Sequence, residues 1–285
     1  MSLTPEDQLQ RALAFRDLHA APGAFVMPNV WDAGTASLLT GLGYQALAGT
    51  SGGLANSLGR ADGANLVRRE ETLANARALV GATHLPVSAD LEGGFGAEPE
   101  HVAETIRLAA DAGLVGGSIE DATGDPQAPL YPFAEAVARV RAAVLAAREL
   151  DFPFTLTARA ENFLYGQPDL DDTIRRLQAF EEAGADVLFA PGLPDAESVR
   201  AVCAAVSRPV SVLAAGPLLK LTVDQLGELG ARRISLGSGL SRVALTATLH
   251  AARDIQHTGS FAALADALSY ATVNALLSAP GPDWP

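Results

Sequence analysis

The heptapeptide Asp90-Leu91-Glu92-Gly93-Gly94-Phe95-Gly96 sets two carboxylates two residues apart, directly after the apolar run 85–89, and then turns on glycines. On a strand, residues i and i+2 point to the same side. Two acids aimed into one space repel unless a cation or a shared proton lies between them. Hard oxygen donors at a strand end suit Mg²⁺ or Mn²⁺ better than zinc. An acidic surface turn would account for this stretch taken alone. Other groups recur in the same way: Glu120 and Asp121 end a second apolar run, Arg159 ends a third, and Asp62 lies in a loop after a fourth.

Those side chains need a scaffold that brings strand ends together. Strand candidates run 25–30, 46–50, 85–89, 116–121, 154–159, 185–190, 209–213 and 232–236, each followed by a helical pattern or a loop that contains one. Short apolar runs alternating with helices imply a parallel sheet. Eight such units in 285 residues predict a single α/β domain over 1–285, a (β/α)₈ TIM-type barrel. Its active site would lie at the C-terminal ends of the strands. A doubly wound open sheet would more naturally carry a dinucleotide fingerprint after its first strand, and Asn29-Val30-Trp31-Asp32 is not one. Additional C-terminal helices are expected at 241–256 and 261–277, and the tail 279–282 is expected to fray. The loop 123–132, rich in Pro, Gly and Asp, reads as mobile.

Composition removes several classes of function. The formal net charge of −13 argues against a nucleic-acid surface. An acidic protein that binds an acidic small molecule needs a local cation and a few placed arginines. A single cysteine, Cys203, excludes an internal disulfide and makes a reducing compartment the default. No basic stretch followed by an apolar core opens the sequence, and no apolar run is long enough to span a membrane. The expectation is a soluble cytoplasmic protein with no membrane partner. Cys203 reads as a small core residue, the five histidines sit on helices or at the far ends of strands, and Trp31 reads as pocket wall. Gly237-Ser238-Gly239, after the last strand, could hold a phosphate.

Asp90-x-Glu92-x-Gly94-Phe95-Gly96 resembles the Asp-x-Asp-x-Gly-Tyr-Gly motif of the isocitrate lyase/phosphoenolpyruvate mutase superfamily. Further stretches agree in order: Asn29-x-x-Asp32, Thr50-Ser51-Gly52, Gly59-Arg60-Ala61-Asp62, Ile119-Glu120-Asp121, Ala158-Arg159 and Glu182-Ala183-Gly184-Ala185-Asp186. The match covers about residues 25–240. The resemblance implies a Mg²⁺ (or Mn²⁺) ion that binds a 2-oxo acid or its enolate. It makes Asp90 the direct ligand, with Glu92 and Glu120 acting directly or through water. It places Ser51 and Gly52 on the substrate carboxylate, largely through backbone N–H groups; Trp31, as pocket wall, is expected to contact the substrate as well. Asp62 would complete a water network, and Arg159 would pair with developing negative charge. It also implies a homotetramer in which C-terminal helices, here 241–278, exchange between subunits.

Two departures shape the expected reaction. Family lyases carry a Cys within a Lys-Lys-Cys-Gly-His type stretch after strand four, whereas Thr123-Gly124-Asp125-Pro126-Gln127-Ala128-Pro129-Leu130-Tyr131 has no Cys, Lys or His. Mutase-type members use Lys and Asn in that loop, and these are missing too. Glu92 stands where the motif has Asp. The expectation is a Mg²⁺-dependent lyase or decarboxylase acting on a small 2-oxo or 2-hydroxy carboxylate, with oxaloacetate favoured over isocitrate. The alternatives are a phosphonopyruvate or phosphoenolpyruvate-type mutase or hydrolase, and a non-catalytic 2-oxo acid binding protein.

Overall fold

The structure, a computed structural model, describes residues 3–278. The tail from residue 279 lies outside the described residues. Nine strands are seen among the described residues: β1 (Phe25–Met27), β2 (Asn29–Val30), β3 (Leu47–Gly49), β4 (Val87–Asp90), β5 (Gly116–Glu120), β6 (Thr155–Arg159), β7 (Val187–Phe189), β8 (Val210–Leu213) and β9 (Ala231–Ser235). They pair in parallel in the order β1-β9-β8-β7-β6-β5-β4-β3-β2. The first expected strand is therefore in two pieces. Pro28 has no N–H to give a neighbouring strand, so β1 pairs with β9 below it and β2 pairs with β3 above it. Its carbonyl still accepts from Ala48 N at 3.0 Å. Because β1 and β2 are consecutive, they join the two ends of the sheet into a nearly closed barrel with helices around it, the (β/α)₈ architecture expected.

The floor of the barrel is closed by the helix Pro5–Ala20. Thr4 starts it with a capping box: its hydroxyl accepts from Asp7 N at 3.1 Å, and Asp7 accepts from Thr4 N at 3.2 Å. Ala12 and Phe15 on this helix pack with Met27, Ala46, Ala48 and Val115 near the lower ends of the strands. Gly116 makes room for this plug. A Cβ there would stand 2.8 Å from the Phe15 ring and from the Thr155 carbonyl. The larger core lies between the strands and the outer helices, where Leu47, Leu79, Ile106, Leu156, Leu177 and Leu188 are fully buried. Glycines in the left-handed conformation end the helices Pro99–Asp111 and Leu170–Glu182, Gly113 at φ 93° and Gly184 at φ 106°.

The C-terminal region differs from expectation. The helix Gly239–Thr258 leaves the barrel and is exposed at every position from 242 to 250, including Val243, Leu245 and Leu249. Left-handed Gly259 ends it. The single helix expected over 261–277 is replaced by a short 3₁₀ turn, Ala262–Leu264, and a separate helix, Tyr270–Ser278. Ser269 causes the restart. Its hydroxyl accepts from Thr272 N at 3.0 Å and caps a new helix in place of continuing an old one. No helix among the described residues is long and apolar enough to cross a membrane.

Candidate active site

Three strands deliver the charged groups to one end of the barrel. Register pairs Glu120 with Arg159 at the ends of β5 and β6, and Asp90 at the end of β4 with Ser118, two residues before Glu120, so all three acidic and basic groups reach one rim. The Arg159 guanidinium meets three carboxylates. Nη1 lies 2.8 Å from Asp90 Oδ2, Nη2 lies 3.0 Å from Glu120 Oε2, and Nε donates to Glu161 Oε1 at 2.8 Å. Its other face covers the Phe189 ring, 5.4 Å from the centroid. Ser51 donates its hydroxyl to Asp90 Oδ2 at 2.9 Å, and Glu92 N donates to Asp90 Oδ1 at 3.1 Å.

The turn after Asp90 needs unusual backbone. Glu92 has φ 48°, Gly94 85° and Phe95 58°, so two residues with side chains sit in the left-handed region. Each such residue costs about 1–2 kcal/mol. Arg139, buried on the helix Phe133–Arg148, holds the strained turn by donating to the carbonyls of Gly93, Gly96 and Ala97. It is also stacked over Tyr131.

Asp62 completes the group from the loop after the helix Ser51–Ser57. A Cβ on Gly52 would stand 2.7 Å from Asp62 Oδ2 and 3.1 Å from Ser238 Cβ, so only glycine fits between them. A cavity of about 300 Å³ opens here and descends into the barrel. Ser51, Gly52, Asp62, Asp90 and Arg159 line it near the mouth. Glu92 faces an adjoining cleft of about 490 Å³, walled by Arg69, Phe95, Thr123 and Tyr131. Glu120, paired with Arg159 at the rim, lines neither. Trp31 does not line the cavity either. Its Cβ packs against Gly53 and its carbonyl accepts from Asn75 Nδ2 at 2.8 Å.

Five carboxylates surround one guanidinium, and the electrostatics follow from that imbalance. Burial raises the Asp90 carboxyl, but Arg159, the Ser51 hydroxyl and the Glu92 N–H outweigh it and hold Asp90 below its ordinary value. Burial first, then the charges of Asp90 and Asp62, push Glu92 up to about 8. Burial raises Glu161 to about 7 against the pull of Arg159, and it raises Glu120 well above the usual carboxylate range. Asp62 is raised by burial and by Asp90. Burial opposes the charge of Arg159, but Asp90, Glu161 and Glu120 more than offset it.

Hard oxygen donors in excess of their cation fit a hard divalent metal ion. Among the described residues no three His, Cys, Asp or Glu side chains converge on one coordination sphere. A donor set of this kind would give a cation Asp90 as a protein ligand and reach Glu92 and Glu120 through water. Mg²⁺ commonly binds in that way, keeping several of its waters.

Sequence reasoning placed Glu161 beside Arg159 at the strand end and Asp121 beside Glu120, but gave neither a role and missed the Arg176 and Asp172 groups behind them. Asp121, 2% exposed, accepts from Glu161 N at 2.8 Å and from Arg176 Nη1 at 2.9 Å. Arg176 is gripped in turn by Asp172, one helical turn away, at 2.7 Å. The signal for Glu161 was its place two residues beyond Arg159. The loop 123–132, expected to be mobile, is tied down by an Ala122–Leu130 bridge, by Thr123 Oγ1 donating to Ala128 O at 2.6 Å, and by Asn65 Nδ2 donating to Thr123 O at 3.0 Å.

Comparison with known proteins places this geometry in a family. Residues 15–256 match the phosphoenolpyruvate phosphomutase family. A crystal structure from Burkholderia cenocepacia J2315, provisionally named a lyase/mutase, is 51% identical with a TM-score of 0.94, over 97% of this chain and 99% of that one. The 2-methylisocitrate lyase of Escherichia coli K12 is 32% identical over 222 residues, 75% of this chain and 73% of that protein. An oxaloacetate decarboxylase of Bradyrhizobium diazoefficiens is 31% identical over 210 residues, 71% of this chain and 70% of that one. With the barrel, the ordered motifs and these relatives in agreement, the chain belongs to the phosphoenolpyruvate phosphomutase family, within the phosphoenolpyruvate mutase/isocitrate lyase superfamily.

Proposed function

We propose that this protein is a Mg²⁺- or Mn²⁺-dependent carbon–carbon lyase that acts on a small 2-oxo or 2-hydroxy carboxylate through an enolate, with oxaloacetate decarboxylation as the representative reaction. The observation that carries the reading is Arg159, held by three carboxylates against the wall of a cavity that Asp90 and Ser51 share. Cleaving the bond next to a carbonyl leaves negative charge on that oxygen. A fixed guanidinium aimed there lowers the barrier without having to reorganise. When bound at Asp90, the metal ion supplies Lewis-acid polarisation of the same carbonyl. Ser51 and Gly52 hold the substrate carboxylate at the cavity wall. Asp62 orders water beside it, and Glu120 sets the angle of Arg159.

The proton inventory selects the reaction. Retro-aldol cleavage of a hydroxy acid needs a base for the hydroxyl and an acid for the departing carbanion. Asp62, which lines the cavity and is raised by burial and by Asp90, suits the base. The loop 123–131 offers only Asp125 and Tyr131 as acids. Decarboxylation asks less, since CO₂ leaves without a proton and solvent can protonate the enolate. A mutase reading is disfavoured by the absence of Lys and Asn from the same loop. Oxaloacetate is therefore expected to turn over with added Mg²⁺ at least tenfold faster than isocitrate, measured as pyruvate against glyoxylate release. Oxaloacetate loss no faster than with free Mg²⁺, or robust glyoxylate production, would refute the reading.

The exposed helix Gly239–Thr258 supports the assembly part of the proposal, a homotetramer exchanging C-terminal helices. Val243, Leu245, Leu249, Phe261 and Leu264 stand in water on a single chain, more apolar surface than a lone subunit ordinarily leaves open. Light scattering at micromolar concentration is expected to return four times the chain mass of 29.4 kDa. A monomer would sink this part.

A further inference from the structure

The cavity does not stop at the charged mouth. Small side chains at Ala48, Ser88 and Ser118 let it continue down the barrel, and Arg233 lines its lower part. Arg233 lies in mid-strand on β9, two residues below Ser235 and so roughly 7 Å deeper along the strand. It is 3% exposed. Nε donates to Ser211 Oγ at 3.0 Å, and Nη1 donates to Thr157 Oγ1 at 3.1 Å and approaches His19 Nε2 at 3.4 Å.

What surrounds this guanidinium is neutral. Arg233 forms no ion pair among the described residues, and no acceptor among them is hydrogen-bonded to its Nη2. A guanidinium carries five N–H donors in a fixed fork, and only Nε and Nη1 are engaged. The charged group that acts on it most is another cation, Arg159. A buried cation is ordinarily paired or hydrogen-bonded throughout. A residue needed only to link hydroxyls across the core would do so at lower cost as a neutral side chain.

We propose that Arg233 is the receptor for a second anionic group on the substrate, so that the cavity selects a compact dianion, a 2-oxo acid with a distal carboxylate or phosphonate, over a monoanion of similar size. This rests on the reading of the mouth as a 2-oxo acid site. There the 2-oxo carboxylate end is held by Ser51, Gly52 and Arg159, while the far end of the molecule reaches down to the open edge of the Arg233 fork. For oxaloacetate the group held there is the one lost as CO₂, so the Arg233 ion pair is given up as that bond breaks, while the electrons it releases pass to the enolate oxygen at the mouth.

Calorimetry with Mg²⁺ and three probes tests it: 2-oxobutyrate as the monoanion, 3,3-difluorooxaloacetate with a distal carboxylate, and phosphonopyruvate with a distal phosphonate. Wild-type protein is expected to bind at least one dianion tenfold or more tighter than 2-oxobutyrate, the scale of a charge-assisted fork. The tighter of the two identifies the distal group. Arg233→Met is expected to lose that preference about tenfold while moving 2-oxobutyrate less than twofold, and Arg233→Lys to keep part of it. Equal wild-type affinity for all three probes overturns the inference and leaves the mouth reading intact. That comparison needs no variant to fold. A preference that survives in Arg233→Met also overturns it. Failure of all three to bind overturns the mouth reading and this one together.

Discussion

Two arginines are buried in the same barrel, and their surroundings are opposites. Arg159, at the top of β6, is ion-paired to Asp90, Glu120 and Glu161. Arg233, in the middle of β9, has hydroxyls and a neutral imidazole. The carboxylates drive the Arg159 pKa up despite burial, whereas burial and then Arg159 bring Arg233 down to about 9. The mouth thus carries surplus negative charge and calls for a further cation, while the floor carries an unanswered positive charge and calls for an anion. A molecule with a metal-chelating end and a second acidic end satisfies both. Neither region is built for stability alone, since a buried charge is weak evidence of stabilisation even when paired.

The sharpest way to break that comparison is to remove each charge and compare unfolding. Arg159→Met leaves three buried acids without their shared partner. Removing one member of a buried ionic group typically costs about 3–5 kcal/mol, and urea unfolding without added metal is expected to show a loss of that size. Arg233→Met strands no opposite charge and relieves the burial of a lone cation. Its shift is expected to stay within about 1 kcal/mol of zero. Equal losses for the two variants would mean that both arginines are structural links and that the contrast drawn between mouth and floor is false.

The parts of this site that were legible in the sequence were those carried by local pattern. Alternating apolar runs and helices announced the barrel, and acids at the ends of 85–89 and 116–121 announced the mouth. Pro28 was visible, but that it would split one strand between two neighbours depends on closure of the sheet, which no local window shows. Asp121 read as one more acid at a strand end, but it braces Glu161 from a buried position, which no local window shows because its partner Arg176 is 55 residues away. Arg233 was the larger omission. In the strand 231–235 residues alternate inward and outward, so one of Arg232 and Arg233 had to enter the barrel. Which one depends on register against β8, where Arg233 stands opposite Ser211. His19 was set aside with the other histidines because it lies on the first helix, and only folding brings that helix under the strands.

His19 supplies the smaller test of the same contrast. Its Nδ1 lies 2.8 Å from the Phe15 carbonyl, which can only accept, so Nδ1 carries the hydrogen and Nε2 presents its lone pair to Arg233. A second proton would have to enter at Nε2, facing a guanidinium. Burial and Arg233 accordingly hold His19 down at about 3, against an ordinary value near 6.5. The folded protein then binds fewer protons than the unfolded chain between these values, so this group's contribution is complete above about pH 6.5 and is lost as pH falls towards 3. The raised carboxylates of the mouth act the other way. Glu92 at about 8 and Glu161 at about 7 keep protons that the unfolded chain has released, so they favour the folded state as pH falls through neutrality. A pH profile of wild-type stability mixes the two regions, but a difference profile separates them. His19→Gln keeps an acceptor for Arg233 and cannot be charged, while the mouth is untouched and cancels. Stability of His19→Gln relative to wild type is therefore expected to be flat above about pH 6.5 and to rise by about 2–3 kcal/mol on going down to pH 4.5, at roughly 1.4 kcal/mol per unit. In Arg233→Met the repulsion is gone, His19 titrates nearer its ordinary value, and the same substitution should gain visibly less. A difference profile that is flat in both backgrounds would show that the cation at the floor does not act on His19.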